Sequence, residues 1–153
     1  MGPISQLAGT IYFDANCFIY SVERIEPYRT NLQPIWERAR DGHCRIITSE
    51  LTVMETLVKP LKDGNASLEN GFRALLQGSN EVTLIPVALA ILENAARLRA
   101  SHPIKTPDAI HAASGLAAGC TYFITNDAGF RRITTLPVTL LSEIPSAGSG
   151  QTP

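Results

Sequence analysis

Five short runs of β-branched and aromatic residues, separated by stretches of helical periodicity, constrain this chain more than any other feature. The runs are Thr10–Phe13, Arg45–Thr48, Glu81–Ile85, Thr121–Thr125 and Val138–Leu141, each bounded by turn or breaker residues. Helical patterns fill the intervals at Phe18–Glu23, Tyr28–Arg40, Leu51–Lys62, Ser67–Leu76, Ala88–Ala100 and Pro107–Ala118, with a short one at Ala128–Ile133. Strands that alternate with helices predict an α/β domain whose mostly parallel sheet is covered on both faces. Local signals set several boundaries. Gly42 stops the helix ending at Arg40, Ser49 caps the helix from Leu51, and Thr106 offers a capping hydroxyl before Pro107 at the first helical position.

The chain has 153 residues, of which 44% are hydrophobic. A single domain of this size buries about 68–70% of its unfolded surface, so it needs neither metal nor disulfide staples. We read residues 1–9 as a lead, 10–145 as one domain and 146–153, rich in Ser, Gly and Pro, as a frayed tail. Cys17, Cys44 and Cys120 lie far apart without metal-type pairing and read as small buried hydrophobes. Thirteen Lys+Arg against 14 Asp+Glu give a net charge of −1, which removes the broad basic footprint of many nucleic-acid-binding domains. Leu84 to Leu92, the longest apolar stretch, is broken by Pro86 and falls short of the roughly 20 residues a membrane span needs. The opening residues carry no basic and apolar signal-peptide regions, so a cytoplasmic chain without a membrane contact is expected.

In open α/β sheets ligands bind beyond the carboxyl ends of the strands. Asp14 ends the first strand run and Asp127 follows the fourth. Glu55 falls among Leu51, Met54 and Val58 at the i, i+3, i+4, i+7 spacing of one helix face, where it interrupts an apolar stripe. Asp108 is the only formal charge on the helix Pro107–Ala118, whose Ala, Gly, Ile and Leu content marks it as buried. Singly, each acid has an ordinary explanation: a helix-dipole partner, a turn residue, or half of an ion pair. Four acids from separate segments converging on one crevice are another matter, because like charges repel and buried carboxylates need a cation or a proton. Lys105 or Arg131 supplies at most one positive charge each, whereas an oxygen-rich, sulfur-free set matches Mg²⁺ or Mn²⁺. His43 and His102 sit near loops, and His111, one turn after Asp108, reads as structural. No nucleophile elbow, P-loop or dinucleotide fingerprint is present.

Four strings, in order, carry a resemblance: Phe13-Asp14-Ala15-Asn16, Ser49-Glu50-Leu51-Thr52-Val53-Met54-Glu55, Lys105-Thr106-Pro107-Asp108-Ala109-Ile110-His111-Ala112-Ala113 and Thr125-Asn126-Asp127. The chain resembles a PIN domain ribonuclease, specifically the VapC-type toxins of toxin–antitoxin pairs, from about Thr10 to Leu141. The resemblance implies a three-layer α/β/α sandwich with a five-stranded sheet of order 3-2-1-4-5. It also implies Mg²⁺-dependent, or Mn²⁺-dependent, endonucleolytic cleavage of RNA. By the same resemblance Asp14, Glu55, Asp108 and Asp127 are the catalytic acids and metal ligands. Thr125, Asn126 and Asn16 stand behind them, and Glu50 is structural. The implied partners are a VapB-type antitoxin and a second copy in a homodimer. Lys105 and Arg131, with Lys59, Lys62 and Arg132, are candidate RNA contacts.

Two other readings of the same residues compete. One is a PIN-like module that binds RNA or protein without catalysis, or a PIN nuclease that is not a toxin. The other is an Asp-nucleophile phosphatase, which wants Asp-x-Asp at the first strand end, where this chain has Asp14-Ala15-Asn16.

Overall fold

The computed structural model describes residues 7–144; the 146–153 tail and most of the 1–9 lead fall outside the described residues. The elements run β1 (Gly9–Phe13), α1 (Ala15–Val22), α2 (Tyr28–Arg40), β2 (Cys44–Ser49), α3 (Leu51–Asp63), α4 (Ala66–Gln77), β3 (Val82–Ile85), α5 (Leu89–Ser101), α6 (Thr106–Ala117), β4 (Tyr122–Thr125) and β5 (Val138–Leu140). Short 3₁₀ turns at Ala128–Arg132 and Leu141–Glu143 flank β5. The five strands form one parallel sheet of order β3-β2-β1-β4-β5. The α/β class, the parallel sheet and its order are as the sequence led us to expect.

β1 is the central strand, and its alternation divides the core. Ile11 and Phe13 face a cluster with Phe18, Leu32, Ile35, Ile46, Leu76 and Ile124. Tyr12 faces the opposite cluster with Ile47, Ala112, Phe123 and Phe130. A strand buried on both faces has no polar side to show, which is why it reads as a continuous apolar and aromatic run. Helices α1, α2 and α4 therefore cover one face, and α6, backed by α5, covers the other. Leu7 is buried in the first cluster and Gly9 already opens β1, so the domain takes in residues ahead of position 10.

Local chemistry fixes the helix ends nearest the sheet's carboxyl edge. Asp14 is the N-cap of α1, its side chain accepting the Cys17 N–H, so the helix starts at Ala15, three residues earlier than the periodicity alone placed it. Ser49 Oγ accepts the Leu51 N–H at 3.1 Å, while Glu50 takes the N-cap position of α3. Glu50 itself accepts the Val87 N–H, tying β2's end to the loop after β3. After α2, Gly42 at φ +79° turns the chain out of the helix.

Two expectations are corrected. Thr106 does not cap α6: Lys105 holds the N-cap position and the Thr106 hydroxyl accepts from Arg99 at 2.9 Å. The stripe Leu51, Met54, Glu55, Val58 does not face the core either. Met54 is 59% and Val58 56% exposed, whereas the buried face of α3 is Thr52, Thr56, Leu57 and Pro60. The threonines tolerate burial because their hydroxyls are satisfied: Thr52 pairs with Thr48 Oγ1 at 2.7 Å and Thr56 donates to the Thr52 carbonyl at 2.8 Å.

Gly115 of α6 packs where a methyl group would stand 2.9 Å from the Phe123 ring. Phe123 in turn stacks on Tyr12, with ring centroids 4.7 Å apart. Alanine normally stabilises a helix interior relative to glycine, but Gly115→Ala is expected to destabilise by about 1–3 kcal/mol through overpacking. A urea unfolding curve checks the sign.

Candidate active site

The sheet order reverses between β1 and β4, so the crevice lies above their carboxyl ends. β1 pairs with β4 through Phe13 and Ile124, which sets Asp14 beside Thr125. Thr125 is fully buried; its hydroxyl donates to Asp14 Oδ2 at 2.6 Å and accepts the Asp127 N–H at 3.1 Å. One hydroxyl thus joins the two strand-end acids. The other Asp14 oxygen, Oδ1, accepts the Cys17 N–H at 3.3 Å. Asp127 is exposed, and its Oδ1 accepts the Gly129 N–H at 2.8 Å, capping the turn that follows.

Glu55 comes from α3 and Asp108 from the first turn of α6. With Asp14, Asn16, His111 and Phe130 they line one cleft of about 210 Å³. A second cleft of about 270 Å³ shares Asp108 and Phe130 and adds Asp127, Lys105 and Arg132. The four expected acids are therefore distributed: three on one cleft, Asp127 on the next, and Asp108 between the two.

Electrostatics follow from this layout. Burial raises the Asp14 pKa, against the opposing help of the Thr125 hydroxyl, His111 and the Cys17 amide. Burial also raises Asp108, as do the like charges of Asp127 and Glu55, with His111 and Lys105 pulling the other way. The acidic cleft itself carries no Lys or Arg among its lining residues. Its carboxylate oxygens suit a hard divalent cation in kind and in charge, while its one imidazole is taken up by Glu55 and Tyr12. Among the described residues no three His, Cys, Asp or Glu side chains form a ready-made metal cage.

The remaining expected residues fall as follows. Asn16 is exposed on the acidic cleft, while the Asn126 amide turns to the Tyr20 hydroxyl at 3.3 Å. Lys105 and Arg132 flank the second cleft, Arg132 also donating to the Pro103 carbonyl. Arg131 is paired with Glu143 and Lys59 with Glu23. His111 is buried, as expected, yet it is wired to an acid: Nε2 stands 2.5 Å from Glu55 Oε1 and Nδ1 2.6 Å from the Tyr12 hydroxyl. Tyr12 drew no notice in the sequence as a site residue. The only signal was an Asp-x-x-His spacing that puts His111 one turn from Asp108 on α6.

An α/β/α sandwich with carboxylates gathered at the switch point of a 3-2-1-4-5 parallel sheet defines a class of acidic-site α/β domain. The family model for the PIN domain matches residues 11–136, and the chain belongs to that family. No curated protein sequence matches the chain. Solved structures of the same fold include VapBC2 from Rickettsia felis bound to a promoter DNA fragment. It shows 17% identity and a TM-score of 0.67 over 86% of this chain and 98% of that one. A toxin–antitoxin complex from Klebsiella pneumoniae is 24% identical, with a TM-score of 0.62 over 88% of this chain and 99% of that one. VapC20 of Mycobacterium tuberculosis, a sarcin-ricin loop cleaving toxin, is 16% identical, with a TM-score of 0.67 over 80% of this chain and 94% of that one.

Since the folded state raises the Asp14 pKa, it favours the neutral acid. The stability this contributes is complete below the ordinary aspartate pKa of about 3.9 and is lost as pH rises through the raised native value. Asp14→Asn keeps the shape without the charge. Its melting temperature relative to wild type is expected to rise between acid and neutral pH, which calorimetry across that range checks. A difference that falls with pH would contradict the burial argument.

Proposed function

We propose that this chain is a divalent-metal-dependent endoribonuclease and the toxin of a VapBC-type toxin–antitoxin pair. The observation that carries the reading is the meeting of Asp14, Glu55 and Asp108 on one cation-free cleft, with Asp127 adjoining, in a PIN domain. These four acids would hold Mg²⁺ or Mn²⁺. Such an ion, when bound, supplies a lowered water pKa and neutralises charge on the phosphodiester.

The chain's own residues do the rest. Thr125 holds Asp14 by one oxygen and so fixes the direction in which the carboxylate faces. The Asp127 N–H on the same hydroxyl keeps the two strand ends in register. Lys105 and Arg132, beyond Asp108, give the RNA backbone a place to lie on the side away from Asp14. Arg131 and Lys59 take no part in this reading, because each is held by a carboxylate.

Partners and compartment follow the same reading. The neighbouring structures are described as VapBC and toxin–antitoxin complexes, so we assign a VapB-type antitoxin. A basic side chain from such a partner would meet the same uncompensated carboxylates. Met54, Val58 and Leu61, exposed on α3, supply an apolar surface for a second copy of the chain. The three cysteines are free, which suits the reducing cytoplasm. Among the described residues no helix is long and apolar enough to cross a membrane.

Incubating the purified, antitoxin-free chain with total RNA should give discrete fragments with Mg²⁺ or Mn²⁺ and none with EDTA. Asp14→Ala and Asp108→Ala are expected to lower the cleavage rate by more than about 100-fold, beyond what loss of an outer-shell residue costs, with circular dichroism unchanged. Intact RNA under every condition, from folded protein, would sink the nuclease reading. In binding assays with the Asp14→Ala protein as background, adding Lys105→Ala or Arg132→Ala should each reduce the slope of log K against log salt by about 0.7. Arg131→Ala should leave that slope where it was.

A further inference from the structure

Glu55 differs from the other acids of the cleft in that its hydrogen-bond partner among the described residues is an imidazole. It sits on α3 between the exposed Met54 and the buried Thr56, and its side chain is 27% exposed. A glutamate there has three side-chain torsions to fix. Yet one oxygen, Oε1, is held at 2.5 Å by His111 Nε2. The other oxygen has no hydrogen-bond partner among the described residues, and Glu55 lines the cleft with Asp14 and Asp108.

The direction of this contact is set three groups away. The Ser49 backbone N–H, at the end of β2, points at the Tyr12 hydroxyl oxygen at 3.2 Å. A backbone amide is a donor only, so the phenol oxygen accepts there and its own proton must go elsewhere. His111 Nδ1, 2.6 Å away, takes it. A neutral imidazole that accepts at Nδ1 carries its proton on Nε2. That N–H donates to Glu55, and every proton in the chain has an acceptor. The opposite tautomer would aim a bare Nε2 lone pair at a carboxylate oxygen 2.5 Å off. It would also take the Nδ1 acceptor away from the Tyr12 O–H.

The rest of the core keeps this row in place. Tyr12 is fully buried in the middle of β1, stacked on Phe123 at 3° between ring planes and edge-on to His111 at 77°. His111 lies in the most buried stretch of α6, with only 3% exposed. Neither ring has room to swing, so the N–H that meets Glu55 is fixed by packing on one side and by a main-chain amide on the other.

We propose that His111, locked in its Nε2–H tautomer by Tyr12, is a positioning residue that presents the free oxygen of Glu55 to the acidic cleft. The inference rests on the nuclease reading for its consequence in catalysis, but the row of hydrogen bonds is a property of the folded chain. His111→Phe keeps the ring's bulk and deletes the donor. His111→Gln restores an N–H of similar reach. Tyr12→Phe removes the group that selects the tautomer.

The test is Mn²⁺ affinity by calorimetry, with RNA cleavage read in parallel, for these variants alone and in a Glu55→Ala background. His111→Phe is expected to weaken Mn²⁺ binding and lower cleavage by about 10- to 100-fold, the usual cost of losing a ligand's hydrogen-bond partner, and His111→Gln to recover all but about threefold of it. Once Glu55 is alanine, His111→Phe should change Mn²⁺ affinity no further. An equal loss with and without Glu55 would make His111 a packing residue and overturn the proposal, as would wild-type affinity in His111→Phe. Nitrogen-detected NMR of the folded protein gives a reading free of activity: a protonated Nε2 and bare Nδ1 are expected, and the reverse overturns the assignment. Mn²⁺ binding without cleavage would refute the nuclease reading and leave the positioning role standing, whereas no Mn²⁺ binding would remove both.

Discussion

The short bond from Thr125 to Asp14 is the interaction on which the site depends. It crosses the one place in the sheet where neighbouring strands are far apart in sequence and their connections leave in opposite directions. The two strands meet at their carboxyl ends through a hydroxyl and a carboxylate. Because β1 and β4 are held in parallel register by Phe13 and Ile124, the hydroxyl cannot slide relative to the acid. Burying a carboxylate carries a penalty, and the donors from Thr125 and Cys17 reduce that penalty without cancelling it. The residual penalty raises the Asp14 pKa.

Tyr12 shows how the same strand serves fold and site at once. Its ring fills the second core cluster against Phe123, while its hydroxyl ends in a row of hydrogen bonds that reaches the cleft. Aromatic residues with a polar tip suit such a place because the body is apolar and the end needs a partner. The inner wall of α3 continues the pattern, with Thr48, Thr52 and Thr56 satisfying one another or the main chain. Polar groups buried between β2 and α3 are therefore fully used, and the geometry they impose is specific in a way that an apolar wall would not be.

Much of this was legible in the sequence, for definable reasons. The strands stand out because a parallel sheet covered on both faces demands uniform apolar runs, and Asp14 and Asp127 stand out because they lie one and two residues past such runs. The extent of α2 was readable from its periodicity, and its exit from Gly42. The orientation of α3 was not, since an apolar-moment argument assumes that buried means apolar. Here the inward residues are threonines and the outward ones Met54 and Val58. The capping role of Thr106 failed for a related reason: Arg99, from the preceding helix, claims its hydroxyl. The acids are split over two adjoining clefts that share Asp108 and Phe130, a tertiary fact with no local signature. His111 looked like a core histidine because its partners, Tyr12 and Glu55, lie 99 and 56 residues away.

The hydrogen-bonded acids share one design. Asp14, Glu55 and Asp127 each have an oxygen tied to a donor of the protein: a threonine hydroxyl or amide, an imidazole N–H, and a main-chain N–H. None of these ties is an ion pair with Lys or Arg. A neighbouring arginine would have lowered the carboxylate pKa and quenched the charge together, leaving little for a ligand to gain. Neutral donors orient a carboxylate while leaving its formal charge in place. The basic side chains nearest the site are instead either engaged elsewhere, as Arg131 is with Glu143, or set on the far side of Asp108, as Lys105 and Arg132 are. The crevice is thereby lined by carboxylates that hydrogen bonds hold in place and that have no Lys or Arg partner among the described residues of the acidic cleft.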